Sequence, residues 1–251
     1  MTNVTDEVLG KIARQQNDLF RRVREGSLDP NVASAGLQLV IENKLSTTPA
    51  SPTDIVDRVM RQLARYEALG IGIADADKLL IIEQAKNFVP LSATDRPLVT
   101  GLFGYESDAI NSAWKHVALE GYDSMRYFDE SQPLRFARGM KPTNTNVRLV
   151  HFDPNSYHRL SPKDALIKAK KDRVRLAGIE IIEMLIVEPE WALEWNGKEH
   201  PYPNLSALQT GTAWQRCPYI NRWDVYRLLK LHASSADYAF DYWASPSVRE
   251  C

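Results

Sequence analysis

Pro201 divides this sequence into two patterns, and that division restricts the available folds more than any other feature. Upstream, apolar residues recur three and four apart, the spacing of a helix with one buried face. Downstream, short apolar segments alternate with turn formers at roughly 203–210, 214–223, 226–233 and 242–249, which reads as successive β-strands. The expected class is therefore α+β: an N-terminal helical hairpin, a mixed helix-rich middle and a C-terminal antiparallel β meander. With 251 residues, 44% apolar and 25% charged, the chain can fill a core and lacks the composition of a disordered one.

Three segments are expected. Residues 1–45 read as a helical hairpin. Thr5 precedes Asp6 and Glu7, a cap followed by first-turn acids, and Val8, Ile12, Leu19 and Val23 form a stripe that Gly26 ends. Asp29-Pro30 opens the second helix, with Ala33, Leu37, Val40 and Ile41 on one face. Neither stripe can be buried by the hairpin alone, so docking or self-association through residues 1–45 is expected. "STTPASP" (46–52) is a polar connector. Residues 53–130 read as a small α/β or α+β unit, beginning with a helix whose apolar face is Ile55, Val59, Leu63 and Tyr66. Within it "KLLII" fits a strand or a helix, and "RPLVTGLFGYES" (96–107) a strand and a turn before a helix through Trp114 and Val117. Residues 131–251 read as an α+β domain ending in the meander. There Ser161-Pro162 caps a basic helix, "LAGIEIIEMLIV" continues helically to Pro189, and Trp191 and Trp195 share a helix face.

Both ends of the chain carry a resemblance. "LFRRVREGSLDPNVASAGLQLVIENK" (19–44) resembles a module of uncharacterised bacterial proteins. "YPNLSALQTGTAWQRCPYINRWDVYRLLKLH" (202–232), with the final "WASPSVREC", resembles the tails of such proteins. The resemblance implies a bacterial, cytoplasmic protein and carries no activity.

Charge and cysteine usage exclude several classes. The formal net charge of -1 makes the chain as a whole no polyanion binder. Residues 126–175 do hold twelve cations against five anions, but residues 176–200 hold six anions against one lysine. Neutralisation of one segment by the other is expected, and nucleic acid is not an expected partner. Two cysteines, Cys217 and Cys251, make neither a disulfide framework nor a four-thiolate zinc site. They read as free thiols of a reducing compartment. No signal peptide or membrane-spanning run is expected: the longest apolar stretch, 177–187, is short and carries Glu180 and Glu183. Those two glutamates read as the solvent stripe of an otherwise buried helix.

Candidate chemistry is sparse. There is no G-x-G-x-x-G, Walker A, G-x-S-x-G or C-x-x-C. His151 and Asp153 share one face of a strand, and His158 could reach them across the Asp-Pro turn; this is a weak acid–base or ligand set. In "CPYINRWDVYRLLKLH" (217–232) the aromatics read mainly as core, with Arg222 and Asp224 as an exposed pair. The alternative is a platform of Trp214, Trp223, Tyr226 and Trp243 that stacks a sugar or base, with Arg222 and Asp224 supplying hydrogen bonds. The leading reading is a non-enzymatic binding or interaction protein that needs no cofactor or metal. The alternatives are a small-molecule or carbohydrate-binding domain using these aromatics, and an enzyme using His151 and Asp153.

Overall fold

The structure is a computed structural model that describes residues 20–21, 24–25, 52–127, 134–137, 139–140, 146–210 and 216–251. The chain divides into two units, Met1–Pro49 and Ala50–Cys251. The expected hairpin over 1–45 lies outside the described residues, apart from a piece of helix at 20–21 and 24–25 where Arg21 and Glu25 pair at 3.6 Å. All the elements named below belong to the second unit.

Helix α1 (Pro52–Ala68) buries the expected stripe, Ile55, Val59, Leu63 and Tyr66. It ends before Gly70, whose φ of +75° suits glycine. The ambiguous "KLLII" lies in a helix, α2 (Asp75–Lys86). Ile81 and Ala85, four apart, turn inward while Leu79 and Leu80 stay exposed. A strand would have alternated, and this segment does not. After β1 (Arg96–Thr100) comes α3 (Ser107–Trp114), which stops short of Val117. Then come β2 (Asp123–Arg126), β3 (Leu134–Phe136) and β4 (Arg148–Asp153).

Helix α4 (Pro162–Asp172) is capped as expected: the Ser161 hydroxyl accepts the Asp164 N–H at 3.1 Å. It does not run on, however. Arg173 takes the left-handed conformation (φ +56°), a two-residue strand β5 (Arg175–Leu176) follows, and a new helix α5 spans Ile179–Val187. Every residue of α5 is buried, as suits a helix that is apolar almost all round. Thus Glu180 and Glu183 are no solvent stripe; both are fully buried. Each carboxylate is saturated instead. Glu180 accepts from Arg175 at 2.6 Å and the Gly178 N–H at 2.9 Å. Glu183 accepts the Thr100 hydroxyl and the Gly101 and Leu102 N–H groups, both at 3.1 Å, and so fixes the loop after β1. Burial first, then the neighbouring Glu180 carboxylate, pushes the Glu183 carboxyl up to about 7.

The chain continues through α6 (Trp191–Glu194), β6 (Tyr202–Pro203), β7 (Leu208–Thr210), β8 (Arg216–Trp223), β9 (Leu228–Ser235), β10 (Trp243–Ala244) and β11 (Ser247–Glu250). The class is α+β, with antiparallel strands prominent in the C-terminal region. These strands serve several small sheets. β8 and β9 form a hairpin around a 3-10 turn at Asp224–Tyr226, with β2 parallel to β9. β7 pairs with β3, and β6 with β10. β11 inserts between β4 and β5, giving a four-stranded sheet of order β1-β4-β11-β5. Helices α1 and α5 pack on β1 and α2 packs on β4, and Leu98, Val99, Leu149, Val150 and Phe152 are all buried. Trp191 and Trp195 do meet, edge to face at 5.1 Å, and Phe152 packs against Trp191. Among the described residues no helix is long and apolar enough to cross a membrane.

Candidate functional site

His151 is the third-last residue of β4, and β1 lies beside it with Pro97 as the opposing residue. That register brings Asp95, which sits just before β1, next to the imidazole: His151 Nδ1 and Asp95 Oδ2 are 2.6 Å apart. The Asp95 side chain is 1% exposed, and the same oxygen accepts the Leu91 N–H at 2.7 Å. Asp95 Oδ1 is buried without a partner among the described residues. Burial raises the Asp95 carboxyl above its ordinary value, with the Leu91 N–H and His151 acting against it. Phe88 stacks on the imidazole at 4.2 Å, so the ring is held on its edge and on its face.

The imidazole lines a cavity of about 270 Å³ between α2 and the end of β11, whose other lining residues are Leu80, Glu83, Gln84, Asn87, Phe88 and Cys251 and whose open surface is mostly apolar. This is slightly below the usual range for small-molecule sites. With Asp95 ionised, the shared proton belongs on Nδ1, leaving Nε2 as a proton acceptor in an apolar setting. Nε2 has no hydrogen-bond partner among the described residues. A histidine oriented by a buried carboxylate is the arrangement of a general base.

The thiol in the same wall is not poised as a nucleophile. Cys251 is exposed as a residue, yet partial burial of its thiol first, then the carboxylates of Asp95 and Glu250, pushes it up to about 12. Cys217, a buried residue of β8, is also pushed up to about 12 by burial. Alkylation by iodoacetamide near neutral pH is therefore expected to be roughly a thousandfold slower at the buried Cys217 than for free cysteine, and faster at the exposed Cys251 than at Cys217. Mass spectrometry over a time course checks this.

The sequence-derived set is only partly assembled. The carboxylate partner of His151 is Asp95, not Asp153. Asp153 accepts from Thr94 (2.7 Å), Ser92 and the Asn155 N–H, and so acts as a loop clasp. His158 is tied by Nε2 to the Asp241 carbonyl at 2.8 Å. Among the described residues no three His, Cys, Asp or Glu side chains are grouped as a metal would require.

The aromatic set is also rearranged. Trp214 lies outside the described residues, and Trp243 is no part of an exposed platform: it is buried against Tyr219 and Phe240. Trp223 and Tyr226 are exposed, but their rings are tilted by 40° rather than coplanar. The Lys230 ammonium, otherwise buried, lies over Trp223 and 4.1 Å from the Tyr127 ring centre, so one face of the indole is already covered by a cation. Arg222 is no exposed partner: its side chain is 12% exposed and donates to the Ala192 and Trp195 carbonyls, anchoring the hairpin to the end of α6. Asp224 is exposed; it accepts from Arg222 at 3.1 Å and from the Tyr122 hydroxyl at 2.6 Å. Nor do the acidic and basic segments simply neutralise one another. Glu180 pairs with Arg175, but Glu188 pairs with Arg58 and Glu194 with Arg96, on α1 and β1.

No known protein family, curated protein or solved structure matches this chain.

Proposed function

We propose that this chain is a binding protein for a small, largely apolar molecule that carries one proton-donating group, held in the cavity beside His151. One observation supports the reading above the others: the imidazole is fixed by a buried carboxylate at 2.6 Å while its second nitrogen is unpartnered among the described residues. A phenol or an aliphatic alcohol matches that chemistry, with its hydroxyl donating to Nε2 and its hydrocarbon part against Leu80 and Phe88. Two probes of nearly equal shape test it, para-cresol and its methyl ether, followed through the imidazole nitrogen chemical shifts. The cresol is expected to bind about tenfold more tightly, the worth of one good hydrogen bond, roughly 1.4 kcal/mol. Equal affinities, or no shift at His151, would exclude this reading.

Asp95→Asn gives a second test. One oxygen serves both the Leu91 N–H and Nδ1, so an asparagine held by the Leu91 N–H still turns its oxygen to Nδ1 and leaves Nε2 as the acceptor, while its NH₂ takes the place of Oδ1. The preference for cresol over its ether is then expected to survive the substitution, and its loss would count against the geometry. An acid–base enzyme using the same dyad is the second reading, favoured by the burial of Asp95. It differs in requiring turnover that His151→Gln abolishes.

We also propose, on the sequence pattern of residues 1–45, that the N-terminal segment mediates self-association in a cytoplasmic setting. The solution mass of the whole chain and of one lacking 1–49 should then differ by more than the segment itself.

A further inference from the structure

We propose a second binding site, for a neutral saccharide, in the cleft where the turn at 196–200 meets the segment before β10. The cleft has a volume of about 750 Å³, within the range of roughly 300–1,000 Å³ for small-molecule sites. Tyr202 and Tyr242 meet in it nearly at right angles, 85° with centroids 6.4 Å apart, which makes a corner of one ring face and one ring edge. Arg159, Lys198, Glu199 and Asp241 complete the lining. Among the described residues none of these four side chains forms an ion pair.

The balance of groups selects the ligand class. Two cations and two anions sum to zero, so a phosphate or other anion drawn in by Arg159 and Lys198 would also meet Glu199 and Asp241. An apolar ligand would leave four charges desolvated. A ring of hydroxyls, each both donor and acceptor, satisfies both signs while its C–H face lies on a tyrosine. The walls are also fixed in advance. Asn196 Oδ1 accepts the Lys198 and His200 N–H groups, at 2.9 and 3.2 Å. Gly197 sits at φ +74° so close to Tyr242 that a Cβ would lie 2.9 Å from the tyrosine's own. Little ordering remains to be done when a ligand arrives.

The test uses the whole chain and a panel of neutral disaccharides (maltose, cellobiose, lactose and diacetylchitobiose), followed by backbone amide shifts of 196–200 and 240–243, with inorganic phosphate as the competing probe. At least one disaccharide is expected to saturate these shifts at a Kd of order 1 mM. Tyr242→Ala should weaken it about tenfold, and Tyr242→Phe by no more than about threefold, because stacking rather than the hydroxyl carries the contact. Tyr242 is exposed, so the substitutions leave the core intact. Silence of the whole panel up to about 20 mM, shifts by phosphate instead, or an affinity indifferent to Tyr242→Ala would each overturn the proposal.

Discussion

Glu183→Gln is expected to stabilise the protein by about 3 kcal/mol near pH 8 and to flatten its pH dependence. The Glu183 carboxyl lies at about 7 in the fold against an ordinary 4.5. Between those values the folded chain binds a proton that the unfolded chain does not, so stability falls as pH rises. The contribution is fully present below about pH 4.5, is lost through about pH 7, and is flat above. Asp95, also raised by burial, adds in the same direction. Below about pH 4.5 the sign reverses. Burial acts to raise Glu180 and Glu188 as well, but Arg175 and Arg58 overcome it and hold both carboxyls low, so protonating them removes stabilisation. The wild-type maximum is therefore expected on the acidic side, around pH 5. A glutamine keeps the geometry, because its oxygen can accept the Gly101 and Leu102 N–H groups while its NH₂ donates to Thr100. Urea unfolding at several pH values measures the effect. A variant whose stability still falls between about pH 5 and 8 by as much as the wild type's would show that Glu183 is not the group responsible.

The elements that can be read from the sequence are those set by local chemistry. The stripe Ile55–Val59–Leu63–Tyr66 and the Ser161-Pro162 cap depend on neighbours within a turn or two, and both form. The break between α4 and α5 is hidden because "DRVRLAGIE" contains no proline. What interrupts the helix is non-local: Arg175 and Leu176 are drawn into a ladder with Val248 and Ser247. The burial of Glu180 and Glu183 is hidden for a related reason. Glutamates in an apolar helix normally mark its wet side, and only the loop after β1 and Arg175, remote or displaced by the break, reverse that.

The candidate site shows the same limit. His151 is identifiable as a titratable group on a strand, and Asp153 is its natural local partner. Asp95 lies 56 residues away in a stretch of turn formers with no motif of its own. Its meeting with His151 depends on the register of Pro97 against His151, which alternation of apolar residues does not specify between two largely buried strands. The Tyr202–Tyr242 cleft has a faint signal in the excess of aromatics after Pro201. Their division into core rings such as Trp243 and exposed ones such as Tyr242 depends on tertiary packing.

The second large effect concerns the α4–α5 junction. Arg175→Ala is expected to destabilise the fold by about 3–5 kcal/mol, far more than a surface ion pair would predict. Glu180 is fully buried in the first turn of α5, and the 2.6 Å bond from Arg175 is its main countercharge, with the Gly178 N–H on the other oxygen. Truncating the arginine leaves a carboxylate with one amide and the start of a short helix to stabilise it. Its pKa must then rise steeply, so the variant should recover part of its loss at low pH. It should also raise Glu183 no further, because a protonated Glu180 no longer repels it. Removing both charges together, in Arg175→Met with Glu180→Gln, is expected to be much milder, within about 1–2 kcal/mol of wild type, because no charge is then stranded. Chemical denaturation of the two variants separates the cases. Equal losses in both would mean that the arginine contributes packing alone, and no low-pH recovery in Arg175→Ala would mean that Glu180 finds another cation.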